Sequence, residues 1–95
     1  MYKDPRYGAV KVLIETEHIT SIRDIFLFIP KTTVYKDLGI NFNRFERAIA
    51  DPSIFRMQEL VDLANMFGVD PKKFIYMAYE QSLTVKKKRP EKRTK

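Results

Sequence analysis

Five residues, Pro30, Gly39, Pro52, Gly68 and Pro71, cut the apolar pattern of this chain into short runs. A residue before proline is pushed out of the helical region. Glycine readily takes the positive φ that closes a helix in a tight turn. Between these marks the apolar residues recur at helical spacing. Ile22, Ile25, Phe26 and Ile29 share a face after Ser21, which with Asp24 resembles a capping pair, and Pro30 ends that run. Lys31–Leu38 places Val34 and Leu38 four apart and stops at Gly39. Asn41 is a good N-cap for a helix through Ala50 with Phe45, Ala48 and Ile49 inside. After the loop Asp51-Pro52-Ser53, the run Arg56–Phe67 carries Met57, Leu60, Val61, Ala64 and Phe67 on one stripe and closes at Gly68. Asp70 then caps a helix with Pro71 in its first turn, burying Phe74, Ile75 and Ala78.

The ends of the chain are read differently. Val10, Leu13 and Ile14 suit a helix over about 7–17, while the β-branched run from Val10 to Thr16 suits a strand equally well. From Ser82 onward apolar periodicity is lost, which predicts a disordered basic tail. The expected fold is all-α, a compact bundle of five or six short helices containing a helix-turn-helix. Its expected divisions are an N-terminal extension over 1–20, the helix-turn-helix domain over 21–81 and the tail over 82–95. With 95 residues and 44% hydrophobic content the chain can bury one modest core.

Charge is distributed unevenly. Residues 1–84 carry 11 Lys/Arg and 11 Asp/Glu, so the whole net charge of +6 belongs to the last 11 residues. A balanced domain is not a nucleic-acid binder on charge alone, and any such role must come from local arrangement. The chain has no Cys and one His, His18, which removes disulfides, thiolate chemistry and any recognisable zinc site. Gly8, Gly39 and Gly68 are isolated, so there is no phosphate-cradling loop. Asp24 and Asp37 read as caps and surface charges, not an acid–base pair. No cofactor, small-molecule substrate or enzymatic activity is expected. Met1-Tyr2-Lys3-Asp4 opens no signal peptide or membrane span, so a cytoplasmic, membrane-free protein is expected.

The local arrangement lies in Lys31–Ala50, which reads as helix, glycine turn, helix. Val34, Leu38, Ile40, Phe45 and Ala48 fall where two steeply crossing helices must pack. That leaves Asn41, Phe42, Asn43, Arg44 and Arg47 on the outward face of the second helix. Arg pairs bidentately with the guanine O6/N7 edge and Asn with the adenine N6/N7 edge. Phe42 suits a thymine methyl or a packing role under the first helix. Lys31 and Lys36 are placed for phosphate. The bland alternative is that Arg44 and Arg47 are solvated charges.

The stretch from Ser21 to Tyr79 resembles the lambda-repressor-like (Cro/repressor, or XRE-type) helix-turn-helix family. The resemblance is carried by Asp37-Leu38-Gly39-Ile40-Asn41, Phe45, and Leu60-Val61-Asp62-Leu63-Ala64-Asn65-Met66-Phe67-Gly68-Val69-Asp70-Pro71. The N-terminal segment and Ile29-Pro30-Lys31-Thr32 look like a divergent Bacteroides-type branch. Three positions depart from the family pattern: Tyr35 replaces a small Ala, Pro30 replaces a Ser or Thr cap, and Asp51-Pro52 replaces a glycine. The resemblance implies sequence-specific double-stranded DNA binding by a small bacterial repressor-like regulator. The contact residues implied by the resemblance are Lys31, Asn41, Phe42, Asn43, Arg44 and Arg47, and Thr32 and Lys36 of the first helix are further candidate DNA contacts. Lys86, Lys87, Lys88 and Arg89 of the tail would add phosphate contacts without sequence information. Met66, Met77, Tyr76 and Tyr79 suit either the core or a homodimer contact through the last helix. A protein-interaction module on the same fold is the competing expectation, and tail-driven RNA or non-specific binding is a third.

Overall fold

A computed structural model describes residues 4–88. Among the described residues there are six α-helices and no strand: α1 (Arg6–Glu15), α2 (Ile22–Ile25), α3 (Lys31–Leu38), α4 (Phe42–Ala50), α5 (Met57–Phe67) and α6 (Pro71–Lys88). A 3-10 turn, Pro52–Ile54, joins α4 to α5. The all-helical expectation therefore holds, and the open question at 10–16 resolves as helix through Glu15, with Thr16 as its C-cap. Burial decides it: Tyr7, Val10 and Ile14 fall at helical spacing and point into the core, while Val12 is exposed.

The helix boundaries follow local chemistry. Ser21 Oγ accepts from the Asp24 N–H at 3.3 Å and opens α2. Asn41 Oδ1 accepts from the Arg44 N–H at 3.1 Å and opens α4. Asp70 Oδ1 accepts from the Lys72 N–H at 3.0 Å at the start of α6. Gly39 at φ 79° and Gly68 at φ 73° end α3 and α5 in the left-handed region. After Gly68 the Val69 N–H returns to the Ala64 carbonyl at 2.9 Å while Val69 is buried, a hydrogen-bonded stop with its own apolar contact. The end of α1 uses the same device without glycine: Glu17 sits at φ 67°, and the His18 N–H donates to Leu13 O at 2.8 Å.

Three expectations need correction. The second helix does not run to Pro30; α2 ends at Ile25, and turns carry the chain through Phe26, Leu27 and Phe28. The inner stripe of α5 is Leu60, Leu63, Ala64 and Phe67, with Met66 also buried, whereas Met57 is 62% exposed and Val61 only partly covered. The predicted tail does not begin at Ser82, because α6 continues to Lys88 with Gln81 and Ser82 buried. Gln81 keeps the helix on the core by bonding neighbouring segments, while Ser82 Oγ is satisfied within α6 by donating to Tyr79 O at 2.8 Å. Residues 89–95 of the predicted tail lie outside the described residues.

One core runs through the molecule. The rings of Phe67 and Phe74 stack at 6.1 Å across α5 and α6, and Tyr7 meets Phe67 edge-on at 5.1 Å from α1. Phe45 of α4 is fully buried between Phe26 and Phe55, at 5.6 and 6.2 Å. The Tyr7 hydroxyl donates to Asp37 Oδ2 at 2.7 Å, tying α1 to α3. At the start of α1, the Arg6 guanidinium and backbone N–H lower the pKa of the Asp4 carboxyl to about 2.

Candidate nucleic-acid interface

Lys31–Ala50 folds as two short helices joined by Gly39, Ile40 and Asn41. Both N–H groups at the turn, of Gly39 and Ile40, donate to the Tyr35 carbonyl, at 2.9 and 3.4 Å. Val34 and Phe45 are fully buried, and Leu38 and Ile40 pack partly against the same core. The inner edge of the pair is thereby fixed, and the opposite edge faces solvent.

Thr32, Lys36, Asn41, Phe42, Asn43 and Arg47 are exposed. Asn43, Arg47 and Ala50 form the outermost stripe of α4, three positions spaced by four and three residues. No ion pair engages Lys36 or Arg47 among the described residues. Lys31 differs: its ammonium meets Glu46 Oε1 at 3.1 Å, so its charge is partly compensated by α4. Phe42 lies 4.9 Å from the Tyr35 ring and stays 38% exposed. It thus takes the packing role against the first helix while keeping an edge in solvent. Tyr35 supplies the platform for it.

Arg44 does not join the outward face. Its guanidinium grips both Glu59 oxygens, Nη1 to Oε2 at 3.0 Å and Nη2 to Oε1 at 2.9 Å, and Nη2 also donates to Ile54 O at 3.0 Å. Glu59 in turn accepts the Arg56 N–H at 2.8 Å at the start of α5. The arginine is therefore a fastener between α4, the 3-10 turn and α5, and its role as an outward-facing contact is corrected. Such a bidentate, partly buried pair is geometrically specific.

Glu59 and Glu46 were not singled out in the sequence, nor was Gln81. Glu59 stands at the third position of its helix, where an acidic residue reaches back to cap the first turn. That signal was present, but nothing local points it at Arg44. Gln81 is 4% exposed; its Oε1 accepts the Arg23 N–H at 3.1 Å and its Nε2 donates to Ile49 O at 2.8 Å. It therefore holds the last turn of α4 from behind. Lys86, Lys87 and Lys88 belong to α6 by their backbone, and Arg89 lies outside the described residues.

The described residues hold no cluster of three potential metal ligands and no helix long and apolar enough to cross a membrane. His18 is exposed, its Nδ1 2.8 Å from Thr16 Oγ1 at the end of α1. Compared with protein-family models, curated proteins and solved structures, the chain matches none.

Proposed function

We propose that the protein is a sequence-specific double-stranded DNA-binding regulator of the helix-turn-helix kind, repressor-like and cytoplasmic, with α4 entering the major groove. The observation that carries this reading is the exposed Asn43–Arg47 stripe on α4, a helix whose other side is held by Phe45, Ala48, Ile49 and the Arg44–Glu59 clamp. Arg47 would read guanine and Asn43 adenine, and the outer edge of Phe42 suits a thymine methyl. Lys36 and Thr32, with Lys31 once Glu46 yields it, would take phosphate oxygens. The kinship to lambda-repressor-like proteins is part of this proposal and rests on the motif residues alone. Cations from Lys86 onward would strengthen binding to every sequence alike.

Selection from a random duplex library tests the reading, followed by affinities across salt for the full chain, the Asn43→Ala/Arg47→Ala double variant and a chain ending at Lys88. The expected result is an enriched motif whose preference the double substitution erases. The shortened chain should keep the motif, bind all duplexes more weakly and lose roughly one unit of log–log salt slope per phosphate contact removed. No enriched motif would reject the proposal.

A second reading, a protein-interaction module, is favoured by exposed apolar side chains. Leu27 is 77% exposed in the turn after α2, and Tyr76, Tyr79 and Leu83 are exposed along α6. Of the residues considered for a homodimer contact, Met66 and Met77 are in the core and only these two tyrosines are free to serve. Failure to bind any duplex at low salt would turn the assignment to this reading.

A further inference from the structure

A groove of about 360 Å³ runs between the linker from α1 to α2 and one stripe of α6. Lys73, Tyr76, Met77, Glu80, Gln81 and Thr84 form the α6 wall, a stretch of about 16 Å at 1.5 Å per residue. Ile19, Met77 and Gln81 are buried and make its floor, and Thr20 and Ser21 bring hydroxyls to the opposite wall.

The charges on its rim are unevenly matched. Glu17 and Lys73 neutralise each other at 3.0 Å. Among the described residues Arg23, at the start of α2, has no carboxylate partner, and Glu80, on α6, has no cationic one, its carboxylate being met by the hydroxyl of Tyr76 one turn back; Arg23 and Glu80 line the same groove without pairing with each other. A cation and an anion, neither held in an ion pair among the described residues, therefore stand over a shared floor of apolar and amide groups. The complementary ligand has a carboxylate, an amine and an apolar body between them.

We propose that this groove binds a small zwitterion, a free amino acid or dipeptide with apolar side chains. Its carboxylate meets the Arg23 guanidinium, its ammonium meets Glu80, and its side chain covers Ile19 and Met77. The volume lies at the lower end of the range for small-molecule sites, which suits one or two residues and excludes a folded partner. For a ligand of this size the affinity expected is on the order of a millimolar. This site is independent of the α3–α4 face and of any DNA role.

The test is a titration of the full-length, isotope-labelled chain with phenylalanine and with leucyl-phenylalanine, followed by amide chemical shifts. Saturable shifts are expected at Thr20, Ser21, Tyr76, Gln81 and Thr84, and at Ala50, because Gln81 also holds the Ile49 carbonyl. N-acetyl-phenylalanine and phenylalanine amide, each lacking one charge, should bind roughly three- to tenfold more weakly. Arg23→Ala and Glu80→Ala change exposed side chains, leave the fold intact and should weaken the zwitterion by the same factor. Absence of saturable shifts with both probes would overturn the proposal. Shifts that survive Arg23→Ala and Glu80→Ala unchanged, or equal binding of the blocked compounds, would overturn it as well.

Discussion

The α5–α6 pair and the α3–α4 pair are held to the same core by different means. Between α5 and α6 the contact is apolar and thick: Leu60, Leu63, Ala64, Phe67, Phe74, Met77 and Ala78 are all buried. In α3 only Val34 is buried and α4 adds Phe45, Ala48 and Ile49, a thinner apolar contact that polar ties from other segments supplement. These are Tyr7 to Asp37, Arg44 to Glu59 and Ile54, and Gln81 to Ile49. A helix pair that leaves one face polar and exposed cannot bury both its sides. Directional bonds then do what area cannot, and they fix an angle as well as a distance.

The largest effect should come from the apolar pair. Phe74→Ala removes a fully buried ring and should lower global stability by about 3–5 kcal/mol, read as the midpoint of urea unfolding. A loss under 1 kcal/mol would mean that α6 contributes little to the core. Glu59→Ala comes next. It leaves the partly buried Arg44 guanidinium without its carboxylate, with an expected cost of about 1–3 kcal/mol. Hydrogen exchange should rise first in α4, the 3-10 turn and the first turn of α5, which loses its Glu59 cap, while the rest of α5 and α6 stays protected. Uniform loss of protection would erase the distinction between the two pairs.

Smaller effects sharpen the same contrast at the turns. A Cβ at Gly39 meets no atom within 4 Å, so Gly39→Ala should cost only the left-handed backbone strain, about 1 kcal/mol by thermal unfolding. Glu17→Gly should act in the opposite direction and raise stability by roughly 0.5 kcal/mol. It relieves a positive φ at a non-glycine residue and gives up only an exposed ion pair with Lys73. Destabilisation by that change would show that the Glu17–Lys73 pair matters more than the backbone.

What could be read in advance was local. The stops at Gly39 and Gly68 and the caps at Ser21, Asn41 and Asp70 depend on residues within a few positions of each other, and each was legible. The conformation of residues 10–16 was not, because the branched side chains fit either a helix or a strand until Tyr7, Val10 and Ile14 meet their partners. The extent of α6 escaped for the same reason. Gln81 and Ser82 are polar, and only the Ile49 carbonyl and the Arg23 amide make it profitable to bury Gln81. For the candidate site, exposure of Asn43 and Arg47 followed from helical periodicity, whereas the inward turn of Arg44 depends on Glu59, 15 residues away. A helical wheel places Arg44 at the margin of the face, and a distant carboxylate decides which way it turns.

That division between Arg44 and Arg47 is the centre of the account, and one comparison tests it. Arg44→Ala and Arg47→Ala are each measured for thermal stability and for preference between a selected duplex and a single-base variant of it. Arg47→Ala should leave stability within about 0.5 kcal/mol and remove about 1–3 kcal/mol of discrimination at one base pair. Arg44→Ala should lower the melting temperature and keep the base preference at temperatures where the variant is folded. Loss of discrimination at a specific base with Arg44→Ala, alongside unchanged preference with Arg47→Ala, would contradict the account.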